Sequence, residues 1–278
     1  MPTTSLLEGL AFAEGPRWRN GRLWFSDVHA GEVIAVTVDG QRDTIAQIDG
    51  APSGLGWLPD GTLLVARGQP AAVMAVSPTG AVDMYADLVA IATFPPNDMV
   101  VDRFGRAWVG TCDIGGIPAP ATSQLLCIQP DRTVAVVDAD MRFPNGAVVT
   151  PDGRTLIVAE TFGSGMTAFT IADDGGISGK RDWARPAGSF PDGICLDAEG
   201  AVWFADPVAR AAVRVREGGD EIDRIQTESA CYACTLGGDD GRTLFLLTGH
   251  LTRPEKALAA RRGRIEMLRV EVAASGSP

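Results

Sequence analysis

One turn-and-strand pattern recurs six times along the chain and limits the folds open to it. It occurs at Trp18–Phe25 (WRNGRLWF), Leu58–Val65 (LPDGTLLV), Asp102–Val109 (DRFGRAWV), Thr150–Ile157 (TPDGRTLI), Asp197–Phe204 (DAEGAVWF) and Gly238–Phe245 (GDDGRTLF). Each copy is a polar turn ending in glycine, followed by an apolar strand. Asn and Asp tolerate the left-handed backbone region and glycine enters it freely, so two antiparallel strands can join within a few residues. The aligned glycines, Gly21, Gly61, Gly105, Gly153, Gly200 and Gly241, are separated by 40, 44, 48, 47 and 41 residues. That is the spacing of propeller blades.

The expected fold is therefore all-β: a six-bladed β-propeller of four-stranded antiparallel blades, with residues 1–278 as one domain. Val33–Val38, Ala72–Val76, Gln124–Ile128, Met166–Ile171 and Ala212–Val215 are expected as outer strands. Leu6–Phe12 and Ile265–Val272 are expected to share a blade and close the ring. Thr252–Arg262 is the one stretch that reads as a helix. A β-sandwich with coincidental Asp-Gly turns is the competing architecture, and six repeats in one register count against it.

In a propeller the innermost strands line a central channel, so residues at one register converge at one end of it. Eight positions before the turn glycine stand Ser53, Asn97, Asn145, Asp192 and Ala233, and in the first repeat Glu14 stands seven before. Two carboxylates and two carboxamides turned into a narrow channel require compensation, and a cation supplies it. Oxygen donors suit Ca2+ first and also Mg2+ or Mn2+, while Zn2+, which normally takes His or Cys, is the remaining alternative. The competing reading is that these residues only cap turns. Cys234, next to Ala233, is expected to face the channel mouth and contact substrate.

The 45% apolar and 21% charged content is that of a globular chain. A formal charge of -11 argues against nucleic acid or anionic membrane as partner. No run of about 18 apolar residues is present to span a bilayer and the start carries no secretory pattern, so a cytoplasmic protein is expected. Five sparse cysteines fit reduced thiols, and with His29 and His250 alone a multi-histidine zinc site is ruled out. The Cys231-x-x-Cys234 pair lacks a second pair, and His250 lines the pocket or lies on the surface. The expected partner is a small-molecule substrate, and the expected state a monomer or small homo-oligomer.

Glu14-Gly15-Pro16, Leu23–Asp27 (LWFSD), Gly54–Trp57 (GLGW), Asn97-Asp98, Phe143–Gly146 (FPNG) and Pro191–Ile194 (PDGI) together resemble the senescence-marker-protein (regucalcin)/gluconolactonase family, similar in fold to diisopropyl-fluorophosphatase. The resemblance covers nearly the whole chain. It implies a metal-dependent lactone hydrolase in which Glu14, Asn145 and Asp192 bind the cation. It makes Asn97 a fourth ligand or a substrate contact, and Asp192 the general base or the nucleophile. A lyase or isomerase on the same site, or a non-catalytic binding propeller, are the alternatives. Sugar-lactone members carry an arginine two residues before the channel asparagine, where this chain has Pro95. The rim segment Cys112–Ala121 offers Asp113 as a substrate contact and little else that is polar, so a more apolar lactone is expected.

Overall fold

The computed structural model describes residues 3–112, 122–250 and 253–276. Among the described residues twenty-four strands form six four-stranded antiparallel sheets, as the repeat predicts. Blade one holds β2 (Ala13–Arg19), β3 (Arg22–Asp27), β4 (Glu32–Val36) and β5 (Arg42–Gln47). Blade two holds β6 (Pro52–Trp57), β7 (Leu63–Arg67), β8 (Ala72–Val76) and β9 (Val82–Asp87). Blade three comprises β10 (Pro96–Val101), β11 (Ala107–Thr111), β12 (Ser123–Ile128) and β13 (Val134–Met141). Blade four comprises β14 (Pro144–Val149), β15 (Thr155–Glu160), β16 (Gly165–Ile171) and β17 (Ile177–Ala184). Blade five is built from β18 (Ile194–Leu196), β19 (Val202–Asp206), β20 (Ala211–Val215) and β21 (Glu221–Gln226).

Blade six is composite. It pairs β22 (Ala230–Gly237), β23 (Thr243–Gly249) and β24 (Gly263–Arg269) with β1 (Thr4–Leu10), which runs antiparallel to β24. The expected sharing of one blade by the two ends of the chain is what the structure shows. The expected helix is shorter, α1 (Pro254–Ala260), with Pro254 in its first turn and Arg261 closing it in the left-handed conformation.

All six turn glycines have positive φ, from 70° at Gly241 to 90° at Gly61, so the turn reading holds at each. One strand assignment differs. The segments expected as outer strands, now β4, β8, β12, β16 and β20, are the third strands of their blades. The outermost are β5, β9, β13, β17 and β21, whose faces are largely exposed and whose sequences are correspondingly polar.

The core is six apolar clusters, one between each pair of neighbouring blades. Alternation along a strand sends side chains to opposite blades. In β19, Val202 and Phe204 pack toward blade four while Trp203 and Ala205 pack toward blade six. The second strand of each blade is thus covered on both faces, which explains its unbroken apolar run.

Candidate functional site

Five of the inner strands contain a register shift. It falls between Glu14 and Arg17, Pro52 and Leu55, Pro96 and Met99, Pro144 and Ala147, and Cys231 and Ala233. Glu14, Ser53, Asn97 and Asn145 stand at these interruptions, where a bulge can turn a side chain away from the ladder and toward the axis. Asp192 lies two residues before β18, held by its own N–H to the Ala205 carbonyl at 2.9 Å.

The glycines beside these residues have a different purpose from the turn glycines. A β-carbon built on Gly146 would stand 2.5 Å from Ile194 N, and one on Gly193 would stand 2.7 Å from Ala233 Cα. Neither glycine has positive φ. They permit neighbouring inner strands to touch through backbone, and Gly146 N–H donates to the Asp192 carbonyl at 3.1 Å. The Asn-Gly and Asp-Gly pairs here are sites of close approach between blades, and the turn-cap reading does not describe them.

The channel residues form a linked group. Ser53 Oγ donates to Asn97 Oδ1 at 3.3 Å, Asn97 Nδ2 donates to Asn145 Oδ1 at 3.2 Å, and Asn145 Nδ2 donates to Thr161 Oγ1 at 3.2 Å. Burial pushes the Glu14 carboxyl up to about 8, with the Asp98 charge adding to the effect. Burial also holds Asp192 well above the usual carboxylate range, raised further by Glu14 and Asp98 and opposed by a hydrogen bond from Asn145. Asp98, next to Asn97 in β10, lies 3.7 Å from Arg17 and is raised by burial while Arg17 pulls it down. Desolvation dominates all three carboxyls, and like charge adds to it at Glu14 and Asp192.

Asp192 Oδ1 is buried without a hydrogen-bond partner. An orphaned carboxylate oxygen beside a second buried carboxylate and two carboxamide oxygens is a donor set fitted to a hard divalent cation. Among the described residues no three His, Cys, Asp or Glu side chains group as metal ligands. The donor set here is half carboxamide.

Three buried acids have no role assigned from sequence, although Asp27 closes the LWFSD motif: Asp27, Glu160 and Asp206, each the last residue of a second strand. Asp27 accepts the N–H groups of Ala11 and Phe12 at 3.0 and 2.8 Å, Glu160 that of Arg142 at 2.6 Å, and Asp206 that of Phe190 at 2.9 Å. They fix the segments leading into Glu14, Asn145 and Asp192. Their only sequence signal is an acid ending an apolar strand.

Other expected contacts fall elsewhere. Cys234 does not face the mouth: it is 1% exposed, packs between blades five and six, and its Sγ meets the carbonyls of Gly193 and Trp203. Burial keeps the thiols of Cys231 and Cys234 well above their ordinary range, which opposes metal ligation. His250 is exposed and lines a separate surface cavity of 350 Å³ with Glu8, Arg262 and Arg264. The larger surface cavity, 710 Å³ beside the Gly238–Thr243 turn, includes none of the channel residues. Asp113 lies outside the described residues.

The fold and the channel group define a six-bladed propeller with an oxygen-lined site at one end of its axis. The chain belongs to the SMP-30/gluconolactonase/LRE-like family, whose region matches residues 12–250. A 6-deoxy-6-sulfogluconolactonase of Pseudomonas putida is 29% identical over 205 residues, covering 71% of this chain and 65% of that protein. A pentonolactonase of Haloferax volcanii is 26% identical over 196 residues, covering 66% and 64%. The matches span somewhat under two thirds of the length of these curated relatives. Among solved structures, a calcium-binding protein, regucalcin, from Agrobacterium tumefaciens strain C58 superposes with a TM-score of 0.84 at 20% identity, covering 100% of this chain and 97% of that one. At that identity the likeness concerns the fold. Among the described residues no helix is long and apolar enough to cross a membrane.

Proposed function

We propose that this chain is a lactone hydrolase dependent on one divalent cation, Ca2+ before Mg2+, Mn2+ or Zn2+. Family membership and two relatives named as lactonases support the reaction class. The observation that carries the site assignment is the buried, unpartnered Oδ1 of Asp192 beside Glu14 and Asn145.

Glu14, Asn145 and Asp192 would hold the cation, with Asn97 as a fourth oxygen donor or an amide contact to substrate. When bound, the cation polarises the lactone carbonyl and offsets the negative charge developing on its oxygen. Asp192 is the general base. Its carboxylate takes one proton from water as the water oxygen attacks the carbonyl carbon. The ring C–O bond then breaks, the proton passes to the departing ring oxygen, and the product is the hydroxy acid. The hydrogen-bonded series Ser53, Asn97, Asn145 keeps both carboxamides in one orientation.

The test is a panel of lactones assayed after chelation and again with each of the four cations. Cation-restored ring opening that Asp192→Asn abolishes supports the reading. Turnover unaffected by chelation, or unaffected by Asp192→Asn, would sink it.

A further inference from the structure

Two positions before each channel residue, the six blades carry Phe12, Ala51, Pro95, Phe143, Phe190 and Cys231. The three phenylalanines fall on the blades that carry Glu14, Asn145 and Asp192. All three are half-buried, and none belongs to the apolar clusters that fill the spaces between blades. They are part-exposed apolar side chains, two residues along the chain from the channel residues, that the core does not take up.

Their placement is held firmly. Phe12 stacks on His29 with ring centroids 5.3 Å apart and meets Tyr232 edge-on at 4.9 Å, while Phe143 meets Phe162 edge-on at 4.9 Å. The N–H groups of Phe12 and Phe190 are tied to the buried carboxylates of Asp27 and Asp206. Phe143 has a φ of 63°, a left-handed conformation uncommon for a bulky side chain. Ala51, at the same register of blade two, has a φ of 62°, so this conformation belongs to the register, and at position 143 it is imposed on a bulky ring. At the same register blades two and three carry Ala51 and Pro95, whose side chains offer no hydrogen-bonding group, and Pro95 has no N–H to donate.

We propose that Phe12, Phe143 and Phe190, with Phe162 and Tyr232 beside them, form an apolar collar around the cation site, and that the lactone it admits carries an aryl or branched alkyl group in place of sugar hydroxyls. This rests on the lactone reading above and names its substrate class. Covering half-buried rings with an apolar group removes further apolar surface from water and adds ring contacts. A polyhydroxylated ring in the same place gives up hydrogen bonds to water that the phenylalanine rings cannot replace.

The experiment measures binding with lactams, which keep the ring and carbonyl but resist hydrolysis. Calorimetry compares a phenyl-substituted pyrrolidinone with a polyhydroxylated aldonolactam, on the wild-type protein and on Phe143→Gly and Phe190→Leu. Glycine accepts the backbone conformation at position 143, and melting curves check that both variants fold. The phenyl lactam is expected to bind at least about tenfold more tightly, and each variant to shrink that ratio several-fold. Equal or tighter binding of the aldonolactam, no binding of the phenyl lactam, or a ratio unchanged in both variants would overturn the collar. The matching lactones are then assayed for turnover. Tight phenyl lactam binding without hydrolysis of any lactone overturns the reaction and leaves the collar standing. Hydrolysis confined to sugar lactones does the reverse.

Discussion

Asp206 Oδ2 accepts the N–H of Phe190 at 2.9 Å, two residues before Asp192, while its Oδ1 accepts the N–H groups of Val208 and Ala209 at 3.0 and 2.8 Å. One buried carboxylate therefore ties the segment bearing the proposed base to the turn after β19. Asp206→Ala would leave these donors without partners. A loss of about 3 kcal/mol in urea unfolding is expected, since each unmet donor costs roughly 1–3 kcal/mol. Cation-induced stabilisation should fall as well. Asp206→Asn keeps one acceptor and should lose less, and unchanged stability in both variants would remove Asp206 from this role.

Asp192→Asn preserves shape while removing the base. Lactone turnover is expected to drop by about 100-fold or more, the usual contribution of a positioned acid or base. Glu14→Gln should mainly raise the cation concentration needed for half-maximal activity. Both residues are proposed ligands, so both variants should need more Ca2+, but at saturating Ca2+ Glu14→Gln should recover turnover and Asp192→Asn should not; the assignment fails if both recover.

Close approach between blades predicts that glycines outside the left-handed region resist substitution. Gly146→Ala and Gly193→Ala each place a β-carbon under 3 Å from backbone atoms of the next blade. Each is expected to destabilise by about 1–3 kcal/mol, the range for overpacking. Gly188→Ala meets no atom within 4 Å and is strained only by its φ of 70°, so it should cost less. Chemical denaturation of the three variants gives the ranking.

For protein stripped of cations, the direction of the Glu14 shift sets a pH dependence. Its folded value, about 8, lies above the ordinary 4.5, so the folded state binds more protons between those pH values. Stability is then greatest below about pH 4.5 for this group and declines as pH rises to about 8. The raised Asp192 adds to the same trend. Melting with and without Ca2+ at pH 5 and pH 8 should show a larger Ca2+ gain at pH 8, where the site is ionised. An equal gain at both values would contradict the shared carboxylate site.

Much of the propeller is legible in the chain because its hairpin turns demand positive φ and so repeat a glycine six times. The channel residues are legible for the same reason, since a fixed offset from those glycines places them at one level. The outermost strands are not, because one face meets water and a segment such as Arg42–Gln47 carries no apolar alternation. Asp27, Glu160 and Asp206 escape because the equivalent ends of β7, β11 and β23 are Arg67, Thr111 and Gly249, which leaves no common residue type to detect. Cys234 was misplaced by one residue. Successive residues of a strand face opposite sides, and while Ala233 packs toward blade one, Cys234 turns toward blade five.

Blade six joins Leu10 to Gly263, 253 positions later in the chain. During synthesis β1 is made 253 positions ahead of its partner. Until the two meet, β24 presents an open edge of unpaired amide and carbonyl groups, with Ile265 and Leu268 beside it waiting for cover. The interval before the circle shuts is when this chain is most open to pairing with another molecule of its own kind, so recovery from denaturant should improve as the protein is diluted.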